Sequence, residues 1–399
     1  MSPSDIVNRN DSQAKRILRV SSKKYVFTIC WVFFCTDSAS DPRRPPPNRP
    51  QSGFTLHRDL LYLAPSLLPQ RAGYSALTDP TLPSATPAFL NHDRPPVPDL
   101  VVPRGVQPFH LNLKPVRGRL VRLGPLAEAL LSRHDAQDPA VLALMGQAMA
   151  LTAALATALK FRGSFSLQAK GDGAVPMLLA DCTEAGALRG YARAEPEKLA
   201  ALLTDAAPPT AKALLGSGYL AFTCDQGPEM DRYQGIVPIE GETLAEMTGT
   251  YFRTSEQLQS QVHLACARTE AGWRAAALVI ERVAGEGGVD PQADAEALDD
   301  AWRTATALAG TITAEELLDD TLTGERLLHR LFHAEGLALD RPRALSYGCR
   351  CSRARLAQVL EGFPQDDLDH MAEDGAITMT CEFCNLGFRF ERAEVSGKA

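Results

Sequence analysis

Four cysteines near the C-terminus constrain this chain more than any other feature. Cys349 and Cys351 form a CxC, Cys381 and Cys384 a CxxC, and 29 residues, 352 to 380, separate the two pairs. Two tight pairs of thiols brought to one point make a tetrahedral thiolate cage for Zn²⁺, a metal soft enough to prefer sulfur. The same sulfurs can collapse into disulfides on oxidation. Four thiolates leave no open position for water, so a catalytic zinc is not expected. Two readings then stand side by side, a permanent staple that folds a small tail and a switch that opens when the metal leaves. The short module around the quartet draws much of its folding free energy from the metal, so oxidation would unfold it.

The remaining cysteines carry no spacing signal. Cys182, Cys224 and Cys266 are isolated and read as small buried hydrophobes. Cys30 and Cys35 lie in an N-terminal region of different character. A CxC/CxxC set in a chain that is not secreted points to metal or redox chemistry in a reducing, cytoplasmic setting.

The N-terminal region, residues 1 to 105, holds 15 of the 28 prolines and no sustained periodicity, which leaves too little apolar surface to offset ordering entropy. It is expected to be disordered, or a non-native extension from a misplaced start codon with translation beginning nearer Leu77. Tyr25 to Cys35 is apolar and follows two lysines like a signal-peptide core, but it is too short to span a membrane. Export would also oxidise the C-terminal thiols. Beyond residue 105 the chain carries 28 basic and 40 acidic residues, which argues against a nucleic-acid partner.

The body reads as an α+β domain over residues 106–285, mostly antiparallel sheet around a long buried helix. Strands are expected at 116–123, 163–169, 176–181, 187–194, 218–223, 232–239, 261–267 and 273–282. A short helix is expected from Pro125 to Arg133, and a long Ala/Leu/Met-rich helix from Asp138, its cap, to about Lys160. Further helices are expected at 242–253 and 255–260. Gly285 to Gly288 breaks the pattern. Residues 286–344 then read as a metastable helical linker, helical over 291–309 and 313–334, with little apolar area per residue in the stretch QADAEALDDAWRTATALAG. The zinc-binding module is placed at 345–399.

No P-loop, GxSxG or HExxH occurs, so neither ATP use nor an enzyme activity is indicated. His329 and His333 stand at i, i+4 without an acidic or cysteine neighbour, and read as a partly exposed helical face. Arg350, Arg353, Arg355 and Arg389 flank the thiols, where they would lower thiolate pKa values or simply solvate an exposed tail. The alternatives are a zinc-ribbon protein whose four-cysteine zinc is purely structural, binding nucleic acid or acting as an adaptor, and a thiol-disulfide oxidoreductase. The second needs its CxxC at a helix start, whereas the flanks of Cys381 and Cys384 look strand-like.

Several motifs carry a family resemblance in order: VRGRLVRLG, TALKFRGSFSLQAKGDG, LRGYARA, RYQGIVPIEGETLAEMTGTYFRTSEQL, YGCRCSRARL and EDGAITMTCEFC. Over about 106 to 392 the chain resembles the redox-regulated bacterial chaperones of the 33-kilodalton heat-shock protein family, while its first hundred residues have no counterpart there. The resemblance implies a holdase that works without ATP. It implies one Zn²⁺ per chain on Cys349, Cys351, Cys381 and Cys384 in an inactive reduced state. Oxidation would release the zinc, form disulfides between neighbouring cysteines (Cys349 with Cys351, Cys381 with Cys384) and unfold the linker. Homodimers would then bind unfolded client proteins, with no membrane or nucleic-acid partner.

Overall fold

The computed structural model describes residues 98–158, 163–204, 207–226, 232–283 and 295–395. The expectations for residues 1–97 of the Pro-rich stretch, the Tyr25–Cys35 run and a start near Leu77 lie outside the described residues, as does the glycine break at 285–288; residues 101–105, expected to be disordered, are instead ordered in a strand. Strand β1 (Val101–Leu111) opens the fold, ahead of the Val106 boundary read from the sequence. Pro103 and Pro108 disguise it, because proline removes ladder donors, and its pairing shifts register between Val102 and Val106.

Strand β2 (Val116–Arg122) pairs antiparallel with β1. Helix α1 (Pro125–Leu131) and α2 (Pro139–Ala156) follow. Asp138 caps α2 by accepting from the Ala140 amide at 2.8 Å, and Pro139 supplies the preset φ of a first helical turn. Fourteen of the eighteen α2 residues are buried. It is the one described helix long and apolar enough to cross a membrane, yet the protein's own core covers it.

Next come β3 (Ser164–Gly171), β4 (Met177–Thr183), β5 (Ala187–Arg193), the short helices α3 (Pro196–Leu202) and α4 (Ala211–Leu215), β6 (Gly218–Asp225) and β7 (Tyr233–Pro238). Helix α5 (Leu244–Thr254) starts at a capping box in which Thr243 and Glu246 satisfy each other's backbone amides. The helix expected at 255–260 does not form: Gln257 takes a φ of 54° and Ser260 already begins β8 (Ser260–Thr269), which pairs with β9 (Gly272–Arg282).

The region read as a helical linker contains α6 (Ala295–Ala309), α7 (Ala314–Leu318) and α8 (Gly324–Phe332). The single helix expected over 313–334 is broken because Asp319 accepts from the Thr321 amide and Thr323 caps α8 afresh. The region ends in strands, β10 (Leu337–Leu339) and β11 (Arg343–Tyr347). The C-terminal module holds α9 (Arg353–Leu360), α10 (Gln365–Met371) and the hairpin of β12 (Ala376–Thr380) with β13 (Gly387–Glu391).

Ten strands run β7-β6-β3-β4-β5-β11-β1-β2-β9-β8, and β10 adds to β1. Only the short β5–β11 pairing is parallel, so the expected mostly antiparallel sheet is what forms. Strand β9 is buried over nine consecutive residues because helices cover both its faces. On one face Cys266, paired with Ala275, lies against Gly146 of α2. On the other, Ala276, Leu278 and Ile280 join Phe109, Leu111 and Leu120 in one cluster with Leu317, Leu327, Leu328, Leu331 and Phe332 of α7 and α8. The region read as a linker therefore sets its leucines and Phe332 on the face that docks. Phe332 stacks on Phe109 at 5.4 Å between ring centroids.

Candidate metal centre

Strand β11 delivers the first thiol pair. Gly348 extends its pairing, donating to the Leu188 carbonyl at 2.8 Å, and a Cβ at 348 would lie 2.4 Å from the Leu188 nitrogen. Cys349, Arg350 and Cys351 follow at once, and Ser352 then caps α9 by accepting from the Arg355 amide. The second pair sits in the β12–β13 turn, closed by Cys381 N–H to Leu386 O at 2.9 Å and Asn385 N–H to Cys381 O at 2.7 Å.

The four sulfurs lie within 4.8 Å of one another. Cys349 Sγ is 3.5 Å from Cys351 Sγ and 3.7 Å from Cys381 Sγ, and Cys351 Sγ is 3.5 Å from Cys384 Sγ. Zn–S bonds of about 2.3 Å in a tetrahedron imply edges of about 3.8 Å, so the cluster is of a size that could hold a metal ion. Cys349, Cys381 and Cys384 are buried and Cys351 is partly exposed. Among the described residues no other group of three or more His, Cys, Asp or Glu ligand atoms converges like this.

Electrostatics within the cage favour uneven proton sharing. Hydrogen bonding with Cys351 first, then with Cys381 and Cys384, holds the Cys349 thiol far below its ordinary value. The same bond to Cys349 is the largest cause pushing Cys351 up. Packed sulfurs that cannot all ionise together are what a divalent cation relieves. The other described cysteines differ: burial pushes Cys182 and Cys266 up to about 12 and raises Cys224, so they are poor nucleophiles.

The body holds the cage from several sides. Arg350 Nη2 donates to Asp181 Oδ1 at 2.7 Å, and Arg189 Nε donates to the same oxygen at 3.1 Å. Asn385 Nδ2 donates to the Arg133 carbonyl at 2.9 Å, and His134 Nε2 lies 3.3 Å from Phe383 O. Burial lowers the His134 pKa. The Phe383 ring lies under the Arg189 guanidinium at 4.2 Å and meets Tyr191 edge-on.

Of the arginines singled out in the sequence, Arg350 reaches Asp181, Arg353 covers the Phe390 ring and bonds Glu394, Arg355 donates to Arg350 O, and Arg389 pairs with Glu391. His329 and His333 stack on each other on an exposed face, away from any metal cluster. The docking residues Asp181, Arg189, His134 and Asn385 gave no sequence signal, since each acts across a long stretch of chain.

A mostly antiparallel sheet crossed by a buried helix carries, near its C-terminus, a four-cysteine cluster that could hold a metal ion. The Hsp33 protein family model matches residues 105–391. The chain belongs to the Hsp33 family of chaperones. It is 42% identical over 291 residues to the 33 kDa chaperonin of Caulobacter vibrioides, covering 72% of this chain and 94% of that one. The 33 kDa chaperonin of Pseudomonas fluorescens is 37% identical over 294 residues, covering 73% and 91% respectively. The crystal structure of a 33 kDa chaperonin from Thermotoga maritima shares the fold with a TM-score of 0.61 at 20% identity, over 73% of this chain and 96% of that chain.

Proposed function

We propose that this chaperone is a cytoplasmic, ATP-independent holdase controlled by oxidation of Cys349, Cys351, Cys381 and Cys384. In the reduced state the four thiolates hold one Zn²⁺, which folds the module at 345–399 and keeps the protein inactive. Oxidation joins Cys349 to Cys351 and Cys381 to Cys384, the metal leaves, and the module loses its main source of stability. The linker, 286–344, then detaches from the α+β domain at 106–285, and a homodimer binds unfolded clients.

One observation carries this reading. Strand β11 lies between β5 and β1 and ends two residues before Cys349, so cage and body share a strand. Release of the cage removes the anchor at one end of β11, and α7 and α8 precede that strand. The apolar cluster they cover, from Phe109 to Ile280, is the surface their departure exposes.

The test is light scattering by a heat-unfolding client enzyme, with zinc-loaded reduced protein compared against protein treated with peroxide at elevated temperature. Suppression of scattering only after peroxide, with about one zinc released per chain, is expected. Equal suppression in both states, or zinc retained throughout, contradicts the proposal and leaves a structural staple.

A further inference from the structure

Arg350 occupies the one position between the two thiols of the CxC pair, and it reaches out of the module to a buried carboxylate of the body. Asp181 is 3% exposed at its side chain and accepts from both Arg350 and Arg189 on the same oxygen. The neighbouring residues are pinned too. Gly348 is bonded to Leu188, Ser352 caps α9, and Arg355 donates to the Arg350 carbonyl at 3.1 Å. The segment around the two thiols is thus tied down by contacts other than the metal.

We propose that Arg350 is a positioning residue for the switch: its ion pair with Asp181 keeps Cys349 and Cys351 aimed at the cage and sets how readily the two oxidise to each other. The inference rests on the redox reading of the same site. The chemistry is a two-electron step. The two thiolates give two electrons to hydrogen peroxide, which takes two protons from solvent, so one Sγ–Sγ bond forms, the peroxide O–O bond breaks and two waters leave. The sulfurs stand 3.5 Å apart and must close to about 2.0 Å with a crossed dihedral. The ring so formed contains the Arg350 backbone, so closure moves the residue that carries the Asp181 contact.

The arrangement also explains why the latch can open. A buried carboxylate stripped of its only partner is strongly destabilising. Asp181 keeps Arg189 when Arg350 departs, so it never stands alone. The Arg350–Asp181 pair can therefore favour the closed form without trapping it.

The experiment uses the full zinc-loaded chain mixed with hydrogen peroxide. Zinc release is followed with a coloured chelator, and the state of each thiol by alkylation and mass spectrometry. Arg350→Gln is expected to speed formation of the Cys349–Cys351 bond about fivefold, the scale of one partly exposed charge-assisted pair. Arg350→Lys restores most of the lag, because the charge returns. Asp181→Asn added to Arg350→Gln brings less than the product of the two single effects, because both break the same pair. A rate for Arg350→Gln equal to the unaltered chain's overturns the proposal, as does a multiplied effect in the double variant. If the unaltered chain keeps its zinc under peroxide, the redox reading itself fails, a result distinct from either.

Discussion

Two pieces of local structure hold the sulfurs, the end of β11 for Cys349 and Cys351 and the β12–β13 turn for Cys381 and Cys384. Cys384 is fully buried in the β12–β13 turn. Replacing it by serine should drop bound zinc from about one ion per chain to near none after dialysis against a chelator, as read by elemental analysis. Cys182→Ser should leave zinc content unchanged, since that thiol is buried in β4 and pushed up to about 12. A pH effect belongs to His263 of β8. Burial lowers its pKa, and its Nε2 is buried with no hydrogen-bond partner among the described residues. The unfolded chain binds that proton more readily, so the contribution is intact above about pH 6.5 and is lost as pH falls below it. Urea midpoints of the reduced protein measured down from neutral pH should fall, and His263→Asn should make the fall shallower.

At the scale of elements, the docking of α8 is the contact most open to test. Phe332 is fully buried against Phe109, so Phe332→Ala should cost about 3 kcal/mol or more in urea unfolding. Hydrogen exchange should quicken in α7 and α8 while α2 keeps its protection; a uniform effect would contradict separate docking. Strands β2 to β9 were legible because their alternation or continuous apolar runs survive in the sequence, and α2 because its cap and composition agree. Strand β1 was hidden by two prolines. Strands β10 and β11 are three and five residues long and exist only through their partners, which no local pattern records. The break between α7 and α8 came from the Asp319 turn inside an otherwise helical pattern. For the site, all four sulfurs were legible, because thiol spacing is written in the sequence. The Arg350–Asp181 pair was not: its partners lie 169 positions apart.

At the scale of the whole molecule, one strand, β11, links the four-cysteine cluster to the sheet whose apolar face α7 and α8 cover. The body's excess of 40 acidic over 28 basic residues disfavours the nucleic-acid alternative for the cage. Hydrogen-exchange mass spectrometry of the zinc-loaded reduced protein, before and after peroxide at elevated temperature, tests the claim most directly. Protection should be lost over the module at 345–395 and over α6 to α8, with β3, β4 and β6 still protected and zinc free in solution. Unchanged protection in α6 to α8 after the metal has left would contradict it, because the cage would then be a staple with nothing coupled to its opening.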